Sequence, residues 1–102
     1  MRVLTVAGVN VDESRLAEVC EQYGIAELLV FGSAARGQSH PDSDIDVLYT
    51  VRPDRRLGWE IEQLADDLGE LLGHPVDLVS RRALHKELRE RVLAEVRPLY
   101  AA

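Results

Sequence analysis

Apolar positions recur along this chain at two spacings, and each spacing predicts an element. Leu16, Val19, Cys20 and Tyr23 follow Asp12 at helical intervals, which predicts a helix capped by Asp12 and closed by Gly24. The run IAELLVF, residues 25–31, is apolar, short and bounded by glycines, as in a buried strand. Residues 32–37 can form one helical turn. After the loop QSHPDS, the segment DIDVLYTV (44–51) alternates as a strand with its aspartates at the leading end. Leu57, Ile61, Leu64, Ala65, Leu68, Leu71 and Leu72 then trace one face of an amphipathic helix, stopped by Gly73 and Pro75 on either side of His74. PVDLVS (75–80) reads as a third strand, and residues 81–97 as a final helix with Leu84, Leu88, Val92 and Val96 as its core stripe. Residues 1–10 stay open between a short strand and an ordered arm.

This order predicts an α/β (α+β) fold: a small mixed sheet of about three to four strands packed against helices, with the first two strands as antiparallel neighbours. No repeat, low-complexity tract or linker interrupts residues 1–102, so one domain is expected. With 46% apolar residues over 102, the chain can bury roughly two-thirds of its unfolded surface without staples. Eighteen acidic residues against twelve Lys and Arg give a net charge of −6, which argues against coating nucleic acid through its phosphates. Cys20 stands alone, excluding a disulfide framework and a four-cysteine metal site. No apolar run approaches the roughly 20 residues of a membrane span, and MRVLTVAGVN is a poor signal peptide. A cytoplasmic protein with no membrane contact is expected.

The chemistry concentrates in VFGSAARGQSHPDSDIDVLYT, residues 30–50. In a strand, residues i and i+2 share a face, so Asp44 and Asp46 point the same way. Two such carboxylates repel, and a divalent cation relieves them; oxygen ligands suit Mg²⁺, with Mn²⁺ as the alternative. The bland reading of such a pair is a solvated strand end. Gly32 permits close backbone approach, and Ser33 offers an N–H and a hydroxyl to a phosphate. A helical turn beginning there would also present free N–H groups to an anion. Phosphate cradle and metal pair together imply a nucleoside triphosphate with bound Mg²⁺. Two rival motifs fail on the letters: Gln38 stands where a P-loop needs its lysine, and Val47 and Pro53 stand where an EF-hand needs Gly and Glu.

The pattern Gly32-Ser33, ten residues, Asp44-x-Asp46 resembles the signature of the DNA polymerase β-like nucleotidyltransferase superfamily. The ARG after the serine and the SDIDV ending resemble its minimal nucleotidyltransferase (MNT) branch, the antitoxin half of HEPN/MNT toxin–antitoxin pairs. The resemblance runs from about residue 12 to the end and is most specific over 31–48. It implies a third carboxylate on the next strand, and Asp77 within HPVDLVS is available, although an exposed strand aspartate is its plain alternative. It further implies two-metal nucleotidyl transfer, with Asp44 and Asp46 binding both ions and Asp77 the ion nearest the incoming hydroxyl. Gly32, Ser33 and Ser43 would hold the β- and γ-phosphates, and Arg36 would add charge there or form an exposed salt bridge.

Weaker candidates have simpler readings. His74 reads as a turn residue, His85 as solvated and Cys20 as inert core, while His40 flanks the site in sequence. Trp59 and Tyr49 could stack on a base, but core packing is the simpler expectation. RRALHKELRER reads as a wet helix face or a partner surface. The leading functional reading is AMP transfer from Mg·ATP to a protein hydroxyl, which the resemblance to MNT antitoxins implies is a tyrosine of a HEPN ribonuclease toxin. A non-catalytic antitoxin that occludes its toxin is the alternative, and a small-molecule nucleotidyltransferase of the aminoglycoside type ranks third. A chain this short has little surface for gripping an acceptor, so a dedicated partner is expected to bring the hydroxyl. Its acidic balance suits a basic, RNA-cutting partner.

Overall fold

The computed structural model describes residues 3–6, 9–32, 35 and 44–102. In chain order the elements are β1 (Val3–Val6), β2 (Val9–Asp12), α1 (Glu13–Tyr23), β3 (Ile25–Phe31), β4 (Ile45–Val51), α2 (Glu60–Leu72), β5 (Val76–Ser80), α3 (Lys86–Leu93) and β6 (Arg97–Ala101). β1 and β2 pair antiparallel, which places most of the open N-terminal segment in strands. The main sheet has the order β5-β4-β3-β6, with β3 antiparallel to both neighbours and β4 parallel to β5. A parallel pair needs a crossover, and α2 supplies it.

The local signals for α1 and for the end of α2 hold in detail. The Asp12 carboxylate accepts from the Ser14 backbone N–H at 2.9 Å, and Gly24 closes α1 in the left-handed region at φ 70°, donating to the Cys20 and Glu21 carbonyls. Gly73 closes α2 in the same way. Both helices cover one sheet face. Leu16, Cys20 and Tyr23 from α1 and Leu64, Leu68 and Leu72 from α2 meet Leu28, Val30, Ile45 and Val47 in a single core. The Tyr23 hydroxyl ties the two helices by donating to Asp67 Oδ2 at 2.7 Å; burial above all, with Asp67 beside it, pushes its pKa up to about 12. Burial likewise pushes the Cys20 thiol up to about 12, consistent with an inert core cysteine.

Leu68 is fully enclosed. Leu68→Ala should therefore cost about 3 kcal/mol, the lost transfer energy plus the cavity left behind. Urea unfolding checks this, and a loss under ~1 kcal/mol would mean the helix layer collapses to fill the void.

Three expectations are corrected. The final helix is shorter than 81–97: residues 97–101 form β6 instead, because β3 would otherwise leave a row of backbone groups unpaired, and Pro98 suits an edge strand. Its core stripe is not realised, since α3 buries none of its side chains and Leu88 is 52% exposed. Trp59 does not pack in the core; it is 98% exposed just ahead of α2, while Leu57 packs against the core before the helix begins. His74 lies in the turn before β5 and His85 is exposed at the start of α3. Tyr49 packs, partly buried, against the core, as expected.

The opposite face of the sheet is different in kind. Leu29 and Leu48 are cross-strand partners, buried but outside the main core cluster. The chain leaves β5 at one sheet edge and returns as β6 at the other, carrying α3 over this face. Two clefts mark the passage: one lined by Phe31, Gly32 and α3 residues Arg91 and Val92, the other by Thr50, Arg81, Arg82 and Arg89. Among the described residues, no helix is long and apolar enough to cross a membrane.

Candidate active site

The strand periodicity decides which side chains reach this second face. Ile45, Val47 and Tyr49 turn into the core, so Asp46, Leu48 and Thr50 turn the other way. On β5, Val76 and Leu78 pack against the core, which puts Asp77 and Val79 on the same outer face. The parallel register then sets Asp46 directly beside Asp77, on strands about 4.8 Å apart. Asp44, immediately before β4, shares their side by the same alternation and is exposed, as is Asp77.

Asp46 is the inner member. Partial burial raises its pKa above the usual carboxylate range, and the negative charges of Asp77 and Asp44 raise it further. All three sequence-predicted acids are thus brought into one electrostatic group. Gly32 completes it. On β3, Phe31 pairs with Asp46, and Gly32 follows at φ 72°, a left-handed conformation that favours glycine. A Cβ on Gly32 would lie 2.6 Å from Asp46 Oδ2, so any larger residue would push that carboxylate aside. Ser33, Arg36 and Ser43, together with His40, lie outside the described residues.

Among the described residues, no three His, Cys, Asp or Glu side chains are drawn tightly enough together to enclose an ion. The register aligns the triad while the carboxylates stand apart. The donor set is nevertheless all oxygen and mutually repulsive, which fits a hard divalent cation and no softer metal.

A mixed sheet carrying two acids at the head of one strand, a third beside them on its parallel neighbour and a glycine turn against them is the framework of a nucleotidyltransferase. The sequence model of the nucleotidyltransferase domain matches residues 14–100, and the chain belongs to that family of enzymes. The protein adenylyltransferase MntA of Thermococcus cleftensis is 40% identical over 79 residues, covering 78% of this chain and 79% of that protein. A solved structure assigned as a minimal nucleotidyltransferase matches with a TM-score of 0.71 at 42% identity, over 85% of this chain and 87% of that one. The solved complex of a tri-AMPylated Shewanella oneidensis HEPN toxin with MNT antitoxin shares the fold, with a TM-score of 0.56 at 24% identity over 88% and 70% of the chains.

Sequence reasoning named the acids and the glycine that the fold brings onto one face, but not what flanks them. The passage of α3 over the site face and the ion pair between Arg81 and Glu27 at 2.8 Å had no local signature beyond the alternation Asp77, Val79, Arg81.

Proposed function

We propose that this chain is an antitoxin enzyme of the cytoplasm that transfers AMP from Mg·ATP to a hydroxyl, a tyrosine in the first instance, of a cognate HEPN ribonuclease toxin. The observation that carries the reading is the register of Asp46 beside Asp77 with Gly32 closed against Asp46. The relative named as a protein adenylyltransferase supports the choice of AMP and of a protein acceptor.

Asp44 and Asp46 would hold both metal ions, and Asp77 the one nearest the acceptor; Mn²⁺ would serve the same donors as Mg²⁺. When bound, the ions supply charge neutralisation on the phosphates and lower the pKa of the acceptor hydroxyl. The chain's own residues do the rest. Gly32 leaves room for a phosphate against the backbone, and Ser33, Arg36 and Ser43 would hold the β- and γ-phosphates. Asp46, on the strand between Gly32 and Asp77, would set where the α-phosphate lies. The acceptor hydroxyl gives up its proton to solvent, its oxygen bonds to that phosphorus, the bond from phosphorus to the bridging β-phosphate oxygen breaks, and pyrophosphate leaves.

Incubation with labelled ATP, Mg²⁺ and the HEPN partner tests this. Label should appear on the partner, and Asp44→Ala/Asp46→Ala should abolish it. No label, or equal label from the double variant, would sink the reading. Full protection of cells by the double variant would instead favour occlusion of the toxin.

A further inference from the structure

The face that carries the three acids becomes strongly basic at its other end. Thr50, Arg81, Arg82 and Arg89 line a cleft of about 390 Å³. Thr50 lies four residues beyond Asp46 on β4, and Arg81 four beyond Asp77, its backbone N–H continuing the ladder to the Tyr49 carbonyl at 3.1 Å. Both therefore share the acids' face, about 13 Å along the strands. Arg81 reaches over Thr50 to Glu27 Oε1 at 2.8 Å. Among the described residues, Glu27 is the only carboxylate paired with these arginines, so two of three guanidinium charges stay uncompensated in a chain of net charge −6. Arg89 donates through Nη2 to the Leu84 carbonyl, yet its Nε is buried with no hydrogen-bond partner among the described residues. A buried N–H of a charged group left unsatisfied is costly, and an incoming oxyanion would satisfy it.

We propose that this cleft is a docking subsite for a carboxylate side chain of the acceptor protein, held while the acceptor's hydroxyl lies at the acids. ATP is a poor occupant. On the proposed reading its triphosphate would be held at the acids and Gly32, about 13 Å along the strands from the cleft, so its phosphates would not be the oxyanions that fill it. The positive charges of Arg81, Arg82 and Arg89 suit a carboxylate, as the single Arg81 Nη1–Glu27 Oε1 contact shows. Two anchors 13 Å apart on one rigid sheet would select acceptors that present an acid at that distance from the reactive hydroxyl. The inference rests on the protein-adenylylation reading and extends it to acceptor choice.

The test is Arg82→Glu in the full chain, since Arg82 is exposed and makes no hydrogen bond or ion pair with any described residue. Arg81→Gln serves as a second variant, and thermal melts confirm that both fold. With the HEPN partner and Mg·ATP, the KM for the acceptor should rise tenfold or more, while the KM for ATP and kcat at saturating acceptor stay unchanged. Nucleotide-free binding of fluorescently labelled partner should weaken in parallel, and Arg82→Lys should restore most of it. An unchanged acceptor KM and affinity overturns the proposal, as does a rise confined to the KM for ATP, which would make the cleft a nucleotide subsite. If the wild-type chain transfers no label, the adenylylation reading fails by itself, and the binding comparison still decides whether the cleft docks the partner.

Discussion

Asp46→Asn should lower AMP transfer by about a thousandfold and, in the same protein, raise the melting temperature of the metal-free form. On the proposed reading the activity loss follows from removing an acid that would be shared by both ion sites, a contribution of several kcal/mol in which each ~1.4 kcal/mol is tenfold. The stability gain follows from electrostatics. Burial, Asp77 and Asp44 all raise the pKa of Asp46. A carboxylate whose pKa is higher folded than unfolded binds its proton more tightly in the native state. The wild-type metal-free protein thus loses stability as the pH rises through that raised pKa, and regains it as the pH falls. This is the reverse of a salt-bridged acid. Asparagine removes that dependence. Thermal melts from pH 4 to 8 in chelator, then with added Mg²⁺, check both halves. Mg²⁺ should stabilise the wild type and its effect should fade at acid pH, where protons compete for Asp46. Equal Mg²⁺ stabilisation of the variant would remove Asp46 from the metal site.

Gly32→Ala should cost about 1–2 kcal/mol in stability and a hundredfold or more in transfer rate. The first figure is the penalty for placing a Cβ on a residue held at φ 72°. The second arises because that Cβ would stand 2.6 Å from Asp46 Oδ2, so either the turn or the carboxylate must move. Misplacing the central acid of a group that depends on register disables the chemistry even where the chain still folds. Urea unfolding and single-turnover transfer separate the two effects. A variant of reduced stability with full activity would show that Gly32 serves only the backbone turn.

These two residues also mark how far the candidate site was legible in one dimension. Gly32, Asp44 and Asp46 lie within fifteen residues, and their spacing alone predicts a turn followed by two acids on one strand face. Asp77 was nameable but not placeable. Alternation with Val76 and Leu78 says which face it takes, yet nothing local says which strand lies beside it. That follows from the α2 crossover, which makes β5 parallel to β4 and sets its register against Asp46.

The same division explains the misreadings. Leu84, Leu88, Val92 and Val96 fit a helical stripe, but the unpaired edge of β3 outcompetes the end of that helix and draws 97–101 into a strand. Trp59 was expected in the core by its size and hydrophobicity; the burial stripe of α2 starts after it, so the ring stays in solvent. Arg81 and Glu27 are 54 positions apart, and only the pairing of β3, β4 and β5 brings their charges within 2.8 Å.

By itself the sequence determined two of the helices and three of the strands, and it named the candidate acids. Each of these rests on contacts within a few residues: an Asp12 side chain on the next turn, a left-handed glycine, alternation along a strand. Tertiary structure alone decided the β6 pairing, the side-by-side seat of Asp46 and Asp77, and the basic cleft on the same face. Those depend on strand order and register, which the whole core selects by burying one face of every strand at once.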